Sequence, residues 1–446
     1  MKRTIAAAAA LVLAIVMTGC SDISNKDSLV YKETTAAASS AVKESESSSQ
    51  EGSSTDDSSS QDDSSSKENT SEQSSDKADS SEKDEKKDDQ KQEDTPKKES
   101  TVKAVLADMT LEEKVCQMFI VTPESLTGDW QTTYVDDPLE QALKKYPVGG
   151  VILFSYNLTD GEQTKSLISD MQKITTDTCD VGMFVAVDEE GGFVARCADA
   201  LGTTTFDDMA VYGAENDRNK AVEIGSTIAK DISSFGFNLD FAPVADVNID
   251  PNNELGSRIF SSDPEVVGNM ASGVVEGLQN NGVCATLKHF PGLGAENGNT
   301  HTNDYVVIDR TVEQLRETEL IPFKEAIDEG AAFVMVGHQI VTGFGDELPC
   351  DLSYKCVTEI LRNELGFDGI AITDSQLMNT ISNVYSSGDA AKKSILAGID
   401  VILIPANVPE AISAVVDAVN SGEISEERID ESVTRILTQK KKLGLI

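Results

Sequence analysis

The sequence predicts an α/β protein, a (β/α)8 TIM-type barrel preceded by a disordered tether rich in Ser, Asp, Glu and Lys. Three observations carry the prediction. Eight short β-rich apolar runs recur between residues 102 and 446, longer amphipathic stretches separate them, and unusual polar residues cluster just after the runs.

In chain order, residues 1–20 read MKRTIAAAAALVLAIVMTGC. Two basic residues, an apolar run and small residues before Cys20 form the layout of a secretory signal, and the run is too short for a membrane span. The ending Met17-Thr18-Gly19-Cys20 resembles a bacterial lipoprotein signal. It implies that Cys20 is lipidated and that the protein is anchored to the extracytoplasmic face of the cell membrane rather than spanning it.

Residues 21–101 read as a polar linker. Positions 21 to 100 hold 23 serines, 22 acidic and 11 basic side chains. Such a segment buries too little apolar area to offset its ordering entropy. As a flexible coil it reaches ~50 Å, enough to hold a folded domain off a membrane. The whole chain carries 77 Asp and Glu against 37 Lys and Arg, a net charge of −40. Subtracting the leader and linker still leaves the 102–446 domain strongly acidic. Phosphate-backbone binding needs clustered Lys and Arg, so no nucleic-acid partner is expected.

The eight runs are 117–121, 149–154, 183–187, 237–242, 284–287, 332–336, 369–372 and 401–404. Helical patterns at 162–174, 218–235, 264–280, 312–329 and 408–421 lie between or after them. Apolar strands alternating with helices imply a parallel sheet covered on both faces. A doubly wound open sheet is the alternative; eight units and the lack of a G-x-G-x-x-G turn favour the barrel. Beyond Cys20, the cysteines are Cys116, Cys179, Cys197, Cys284, Cys350 and Cys356, with no C-x-x-C metal pair. Cys116 and Cys284 read as buried thiols, and Cys350 with Cys356 as the one pair suspected of bonding.

A barrel builds its site from the C-terminal ends of its strands. There this sequence places Asp188-Glu189-Glu190, Asp246, Lys288-His289, His338 and Asp374, and the three histidines of the chain, His289, His301 and His338, all follow the fifth or sixth run. Carboxylates, a lysine and imidazoles without a thiolate cluster or phosphate loop suit acid, base and nucleophile chemistry on a neutral polyhydroxylated substrate, with no metal or cofactor. Retaining glycoside cleavage needs a carboxylate below the anomeric carbon and a proton donor at the leaving oxygen. Asp374, at the end of Ala371-Ile372-Thr373, suits the first role and an imidazole the second.

Five ordered motifs, VDEEGG at 187–192, APVADVN at 242–248, SRIFSSDP at 257–264, KHFPGLG at 288–294 and ELGFDGIAITDSQLM at 364–378, resemble glycoside hydrolase family 3. The likeness is to its single-domain bacterial β-N-acetylglucosaminidases linked to peptidoglycan turnover. The resemblance implies that Asp374 is the nucleophile and that Asp188, Arg258, Lys288 and His289 hold sugar hydroxyls, with the role of Arg196 open. It also implies an Asp-x-His dyad on the loop after the fifth strand, since the sequence ends with the barrel. That position reads Asn299-Thr300-His301, so His301 is expected as general acid/base beside an asparagine that can orient the ring through its amide oxygen. Phe193, Leu293 and Ser375 depart from the family's arginine, histidine and aspartate. Should His301 not donate the proton, Glu296, Asp304 and Asp309 are next. A β-glucosidase, a glycoside phosphorylase and a non-catalytic wall-glycan-binding lipoprotein whose dyad has decayed are the competing readings.

Overall fold

The computed structural model describes residues 101–295 and 298–446. The segment expected to be an export signal, with Cys20, the expected tether apart from Thr101, and Glu296 lie outside the described residues.

All eight runs are strands, and each is followed by a helix. In order they are β1 Phe119–Val121, α1 Asp137–Lys145, β2 Gly150–Ile152, α2 Gly161–Cys179, β3 Phe184–Val187 and α3 Arg218–Ser233. Then come β4 Leu239–Asp240, α4 Pro264–Gln279, β5 Thr286–Phe290, α5 Leu320–Asp328, β6 Phe333–Val336 and the π-wound α6 Lys355–Glu364. The chain closes with β7 Ile370–Ser375, α7 Ser387–Ala397, β8 Val401–Leu403, α8 Val408–Ser421 and a last helix, Glu426–Lys442. Asp160, Asp217, Asp263, Ser386, Asn407 and Ser425 accept from first-turn backbone N–H groups, which is why helices begin there.

Every strand pairing in the main sheet is parallel, in the order β4-β3-β2-β1-β8-β7-β6-β5. Between β4 and β5 the ring is completed by isolated bridges, Leu239 with Cys284 and Val244 with Lys288. The barrel is thus nearly closed. Phe184 on β3 meets Phe333 on β6 edge to face, with centroids 5.2 Å apart. These strands are not sheet neighbours, so the contact crosses the interior, which is a packed core.

The helix predicted over 312–329 is two, Val312–Glu317 and Leu320–Asp328. Glu319, almost wholly buried, takes the Arg310 guanidinium at 2.7 and 2.8 Å, and the chain turns at Thr318 to allow it. Cys116 and Cys284 are buried thiols as expected, whereas Cys350 and Cys356 are free thiols in mutual contact rather than a disulfide. Among the described residues no helix is long and apolar enough to cross a membrane.

Candidate active site

Loops at the C-terminal ends of the strands bring most of the sequence candidates together. After β3, Asp188 leads into a small antiparallel hairpin, Glu189–Gly191 against Val194–Ala195. Gly191 and Gly192 turn it with φ of 80° and 57°. A Cβ on Gly192 would also lie 2.8 Å from the Asp208 backbone, so only glycine fits.

The hairpin aims Glu190 at two cations. Arg258, on the turn after β4, donates to it from Nη2 at 2.7 Å and Nε at 2.8 Å, and Lys288 Nζ of β5 lies 2.6 Å away. Lys288 also donates to Asp188 Oδ1 at 2.9 Å. Burial alone would push the Glu190 carboxyl up; the Arg258 and Lys288 charges outweigh it and hold the group well below the usual carboxylate range. Glu190 is closed off, while Asp188 and Arg258 each keep some solvent-facing surface. The acidic triplet was visible in the sequence, but nothing there showed that Glu190 orients the two cations while Asp188 stays open.

Asp246 serves the loop. It accepts from the His289 N–H at 2.9 Å, His289 Nδ1 at 2.8 Å and the Leu293 N–H at 2.6 Å. Nδ1 therefore carries the proton toward Asp246, leaving Nε2 as the ring atom for a ligand. Gly294 is required because a Cβ would lie 2.0 Å from the Val247 carbonyl oxygen.

Asp374 ends β7 and keeps part of its surface exposed. The Ser375 N–H donates to its Oδ1 at 2.7 Å, and among the described residues no lysine or arginine forms an ion pair with it. Burial opposes its ionisation, but His289, His338 and His301 outweigh burial, so the carboxyl lies below its ordinary value.

His301 stands on the loop after β5 with an exposed side. The protein crowded around the cleft lowers its imidazole, Asp374 raises it, and Arg258, His289 and His338 lower it further, leaving it below the ordinary value. Asn299 does not orient the ring through its amide oxygen. That oxygen accepts the backbone N–H groups of His301 at 2.9 Å and Thr302 at 3.1 Å. An Asn two residues before an N–H closes an Asx turn, and the local bond wins. The loop is tied down by Thr300, whose carbonyl accepts from Thr380 Oγ1 at 2.7 Å and whose hydroxyl lies 3.3 Å from Glu254. Glu254, half-buried and interacting with Asp374 and His289, was not singled out from sequence; burial raises its carboxyl.

Arg196 gives its backbone N–H to the Asp188 carbonyl at 3.3 Å, and its Nε is buried without a partner among the described residues. Asp304 holds the Asn383 amide at 2.8 Å and Asp309 the Thr342 hydroxyl at 2.9 Å, so both already have local partners. Among the described residues no group of His, Cys, Asp and Glu is arranged to hold a metal ion. The cleft combines paired ions at its wall, a carboxylate with no cationic partner among those residues and an imidazole on a loop, which together suit glycosyl transfer to or from an oxygen.

Residues 110–439 match the Glycosyl hydrolase family 3 N terminal domain. The chain is similar to a β-hexosaminidase A of Pseudoalteromonas piscicida, 30% identical over 71% of this chain and 57% of that relative. It therefore spans little more than half of that relative's length. Among solved structures it resembles a family 3 β-N-acetylglucosaminidase from Paenibacillus sp. str. FPU-7, with TM-score 0.70 and 34% identity over 76% of this chain and 63% of the other. A β-N-acetylhexosaminidase from Beutenbergia cavernae aligns with TM-score 0.67 and 29% identity over 75% of this chain and 99% of the other.

Proposed function

Because the chain belongs to glycosyl hydrolase family 3, we propose that it is a retaining glycosidase that removes β-linked N-acetylglucosamine, with Asp374 as nucleophile and His301 as general acid/base. The observation that carries this reading is Asp374 itself: a strand-end carboxylate kept ionised by surrounding imidazoles yet bonded only by the Ser375 N–H and by no cation among the described residues. Asp188, Arg258, Lys288 and His289 Nε2 supply acceptors and donors for the sugar hydroxyls.

In the first step an Asp374 oxygen attacks the anomeric carbon, the glycosidic C–O bond breaks, and His301 gives its proton to the departing oxygen. In the second step His301 takes a proton from water, whose oxygen displaces Asp374 and restores the carboxylate. The β configuration is inverted twice and therefore retained. The names of the relatives support an amino sugar. The signal-like ending at Cys20 supports an exported, lipid-anchored enzyme held at the cell envelope, where wall glycan is the substrate within reach.

Release of nitrophenol from the N-acetyl-β-glucosaminide and the β-glucoside, with and without phosphate, tests the reaction. Hydrolysis of the first without phosphate is expected; dependence on phosphate would make the protein a phosphorylase, and no turnover a glycan-binding protein. A slow fluorinated sugar should label the peptide containing Asp374, and a label elsewhere removes that assignment. For the anchor, Cys20→Ser should convert a detergent-extracted protein into a soluble or unprocessed one. A wild-type N-terminal peptide without acyl mass would end that part of the reading.

A further inference from the structure

Behind Asp374, on the side away from the cleft, lies a buried pair that the proposed mechanism does not use. His338 follows β6, and Asp351 sits on the short turn Cys350–Leu352; both side chains are fully buried. His338 Nδ1 is 3.0 Å from Asp351 Oδ1, and its Nε2 is 2.9 Å from the carbonyl oxygen of Ser375, the residue after Asp374. The turn is docked to the end of β6 by backbone bonds, Asp351 N–H to the Gly337 carbonyl at 3.2 Å and Cys350 N–H to the Gln339 carbonyl at 2.9 Å. Asp351 Oδ2 lies 3.4 Å from the Gln376 side-chain amide, so the pair reaches the end of β7 at a second point.

The partners dictate the protons. A carbonyl oxygen can only accept, so Nε2 carries a hydrogen; the other nitrogen stands at ion-pair distance, 3.0 Å, from a carboxyl oxygen, without the alignment of a hydrogen bond. Ser375 is thus bonded on both sides, its N–H to the Asp374 carboxylate and its carbonyl to the imidazole. We propose that Asp351 and His338 form a positioning pair for the nucleophile: Asp351 holds His338 as an imidazolium, and His338 clamps Ser375 and sets a positive charge behind the Asp374 carboxylate. This inference rests on Asp374 being the nucleophile.

The surroundings agree in sign. Burial disfavours charge on His338, but Asp351 outweighs it and Asp374 adds to it, raising the imidazole to about 9. Asp374 in turn feels His289, His338 and His301, with Glu254 as the other carboxylate interacting with it. On its far side Asp351 faces Gln376, the thiol of Cys356 and the phenol of Tyr385, and among the described residues no Lys or Arg is paired with it. A cation behind the carboxylate has two consequences. It keeps Asp374 ionised in acid, and it stabilises the carboxylate as the leaving group when water cleaves the glycosyl ester.

The test compares Asp351→Asn and His338→Gln with the wild type. The glutamine amide preserves a donor toward Ser375 without a charge, so clamp and charge are separated. In both variants the acid limb of kcat/KM should move up by about one pH unit. On an activated aryl glycoside, kcat should fall roughly 10-fold, more than kcat/KM on the plateau, because loss of the carboxylate is slowed; the covalent intermediate should accumulate in a quench. The chain has only three histidines, so nitrogen NMR of labelled imidazoles resolves His338. Both ring nitrogens should be protonated from pH 5 to 8 in the wild type, and one in Asp351→Asn. An unmoved acid limb, or a wild-type His338 with one ring proton across that range, overturns the inference. The NMR arm decides even if a variant fails to fold. If the fluorinated sugar labels Asp374 while the limb stays put, only the pair's role fails; if Asp374 is not labelled, the nucleophile reading fails with it.

Discussion

The mouth and the base of this barrel both bury charge, and they do so to opposite ends. At the base, Asp400 precedes β8 with no exposed surface. It accepts from the Ala371 N–H at 3.0 Å, Ser432 Oγ at 2.7 Å, Arg435 Nη1 at 3.3 Å and Arg362, while Arg428 and Arg362 also give hydrogens to the carbonyls of Ile399 and Gly369 at 2.7 and 2.6 Å. Every oxygen there is spoken for by the protein. At the mouth, Glu190 is satisfied in the same way, but Asp188, Arg258, His289 and Asp374 each retain a lone pair or hydrogen that no described residue takes up. Perturbed charges therefore do not by themselves mark a site. What separates the two ends is whether any bonding capacity is left for an outsider.

The comparison can be broken at either end. Asp374→Asn should lower turnover by several orders of magnitude without lowering Tm, since an amide cannot form the ester; a retained rate would mean the mouth is not organised around this residue. Asp400→Asn should do the reverse. Removing one partner of a buried ionic cluster costs about 3–5 kcal/mol, or ~5 °C in Tm for a domain of this size. Turnover at 25 °C should stay within about twofold of wild type, as expected for a site remote from the change. Loss of activity in the folded variant would show that the two ends are coupled.

A third substitution tests the base through pH. Lys440, buried and bonded to Gln117 Oε1 at 2.6 Å, packs over the Phe184 ring, and burial lowers its ammonium to about 7 from 10.5. Between those values the unfolded chain binds a proton that the folded one lacks, so this group alone makes stability rise with pH above about 7. The slope is at most ~1.4 kcal/mol per pH unit. Buried thiols pull the other way only near and above their own ordinary range. Denaturant midpoints from pH 7 to 8.5 should hold nearly level in the wild type, where the proton that His338 keeps up to about 9 offsets Lys440, and should fall in Lys440→Met, where only the His338 contribution is left. Equal slopes would refute the assignment.

The smallest effect belongs to Asn299. Proton donation requires a charged His301, so activity on poor leaving groups should fall as pH rises through a pKa below the usual imidazole value. Asn299→Asp puts an anion beside the ring and should move that basic limb upward, by less than one unit because residue 299 faces the backbone. Poor substrates should gain a few-fold and activated nitrophenyl sugars nothing. If His301→Ala leaves poor substrates unaffected, the proton donor is another group, and Glu254, a half-buried carboxyl that contacts Thr300 of the same loop, is the next to test.

Much of this was legible in the chain. Continuous apolar runs gave all eight strands because a strand buried on both faces needs no alternation, and Asp188, Lys288, His289 and Asp374 stood out as polar residues placed where such runs end, whereas Arg258 came only from the resemblance carried by SRIFSSDP. Contacts that depend on how a turn folds back were not legible. Asp351 meets His338 only because the Cys350–Leu352 turn docks on the end of β6, and Glu190 differs from its neighbours Glu189 and Asp188 only through the twist of a glycine hairpin. The break at Thr318 follows from a buried Arg310–Glu319 pair that helix periodicity does not register. Asn299 was misread for a related reason: its nearest donors are its own backbone.

The six described cysteines carry a practical consequence. Five are buried, and burial pushes the Cys116 and Cys284 thiols up to about 12, so in the native state they are protonated and shielded from alkylating reagents. Each therefore reports when its own neighbourhood opens. Cys116 watches the helix Leu111–Gln117 that leads into β1, Cys197 the glycine hairpin, and Cys350 with Cys356 the turn beside His338. Cys284 lies where the β4 and β5 segments meet, its N–H bonded to the Asn238 carbonyl at 3.0 Å and its carbonyl to the Asp240 N–H at 2.9 Å. Labelling rates followed cysteine by cysteine would chart how the ring comes apart.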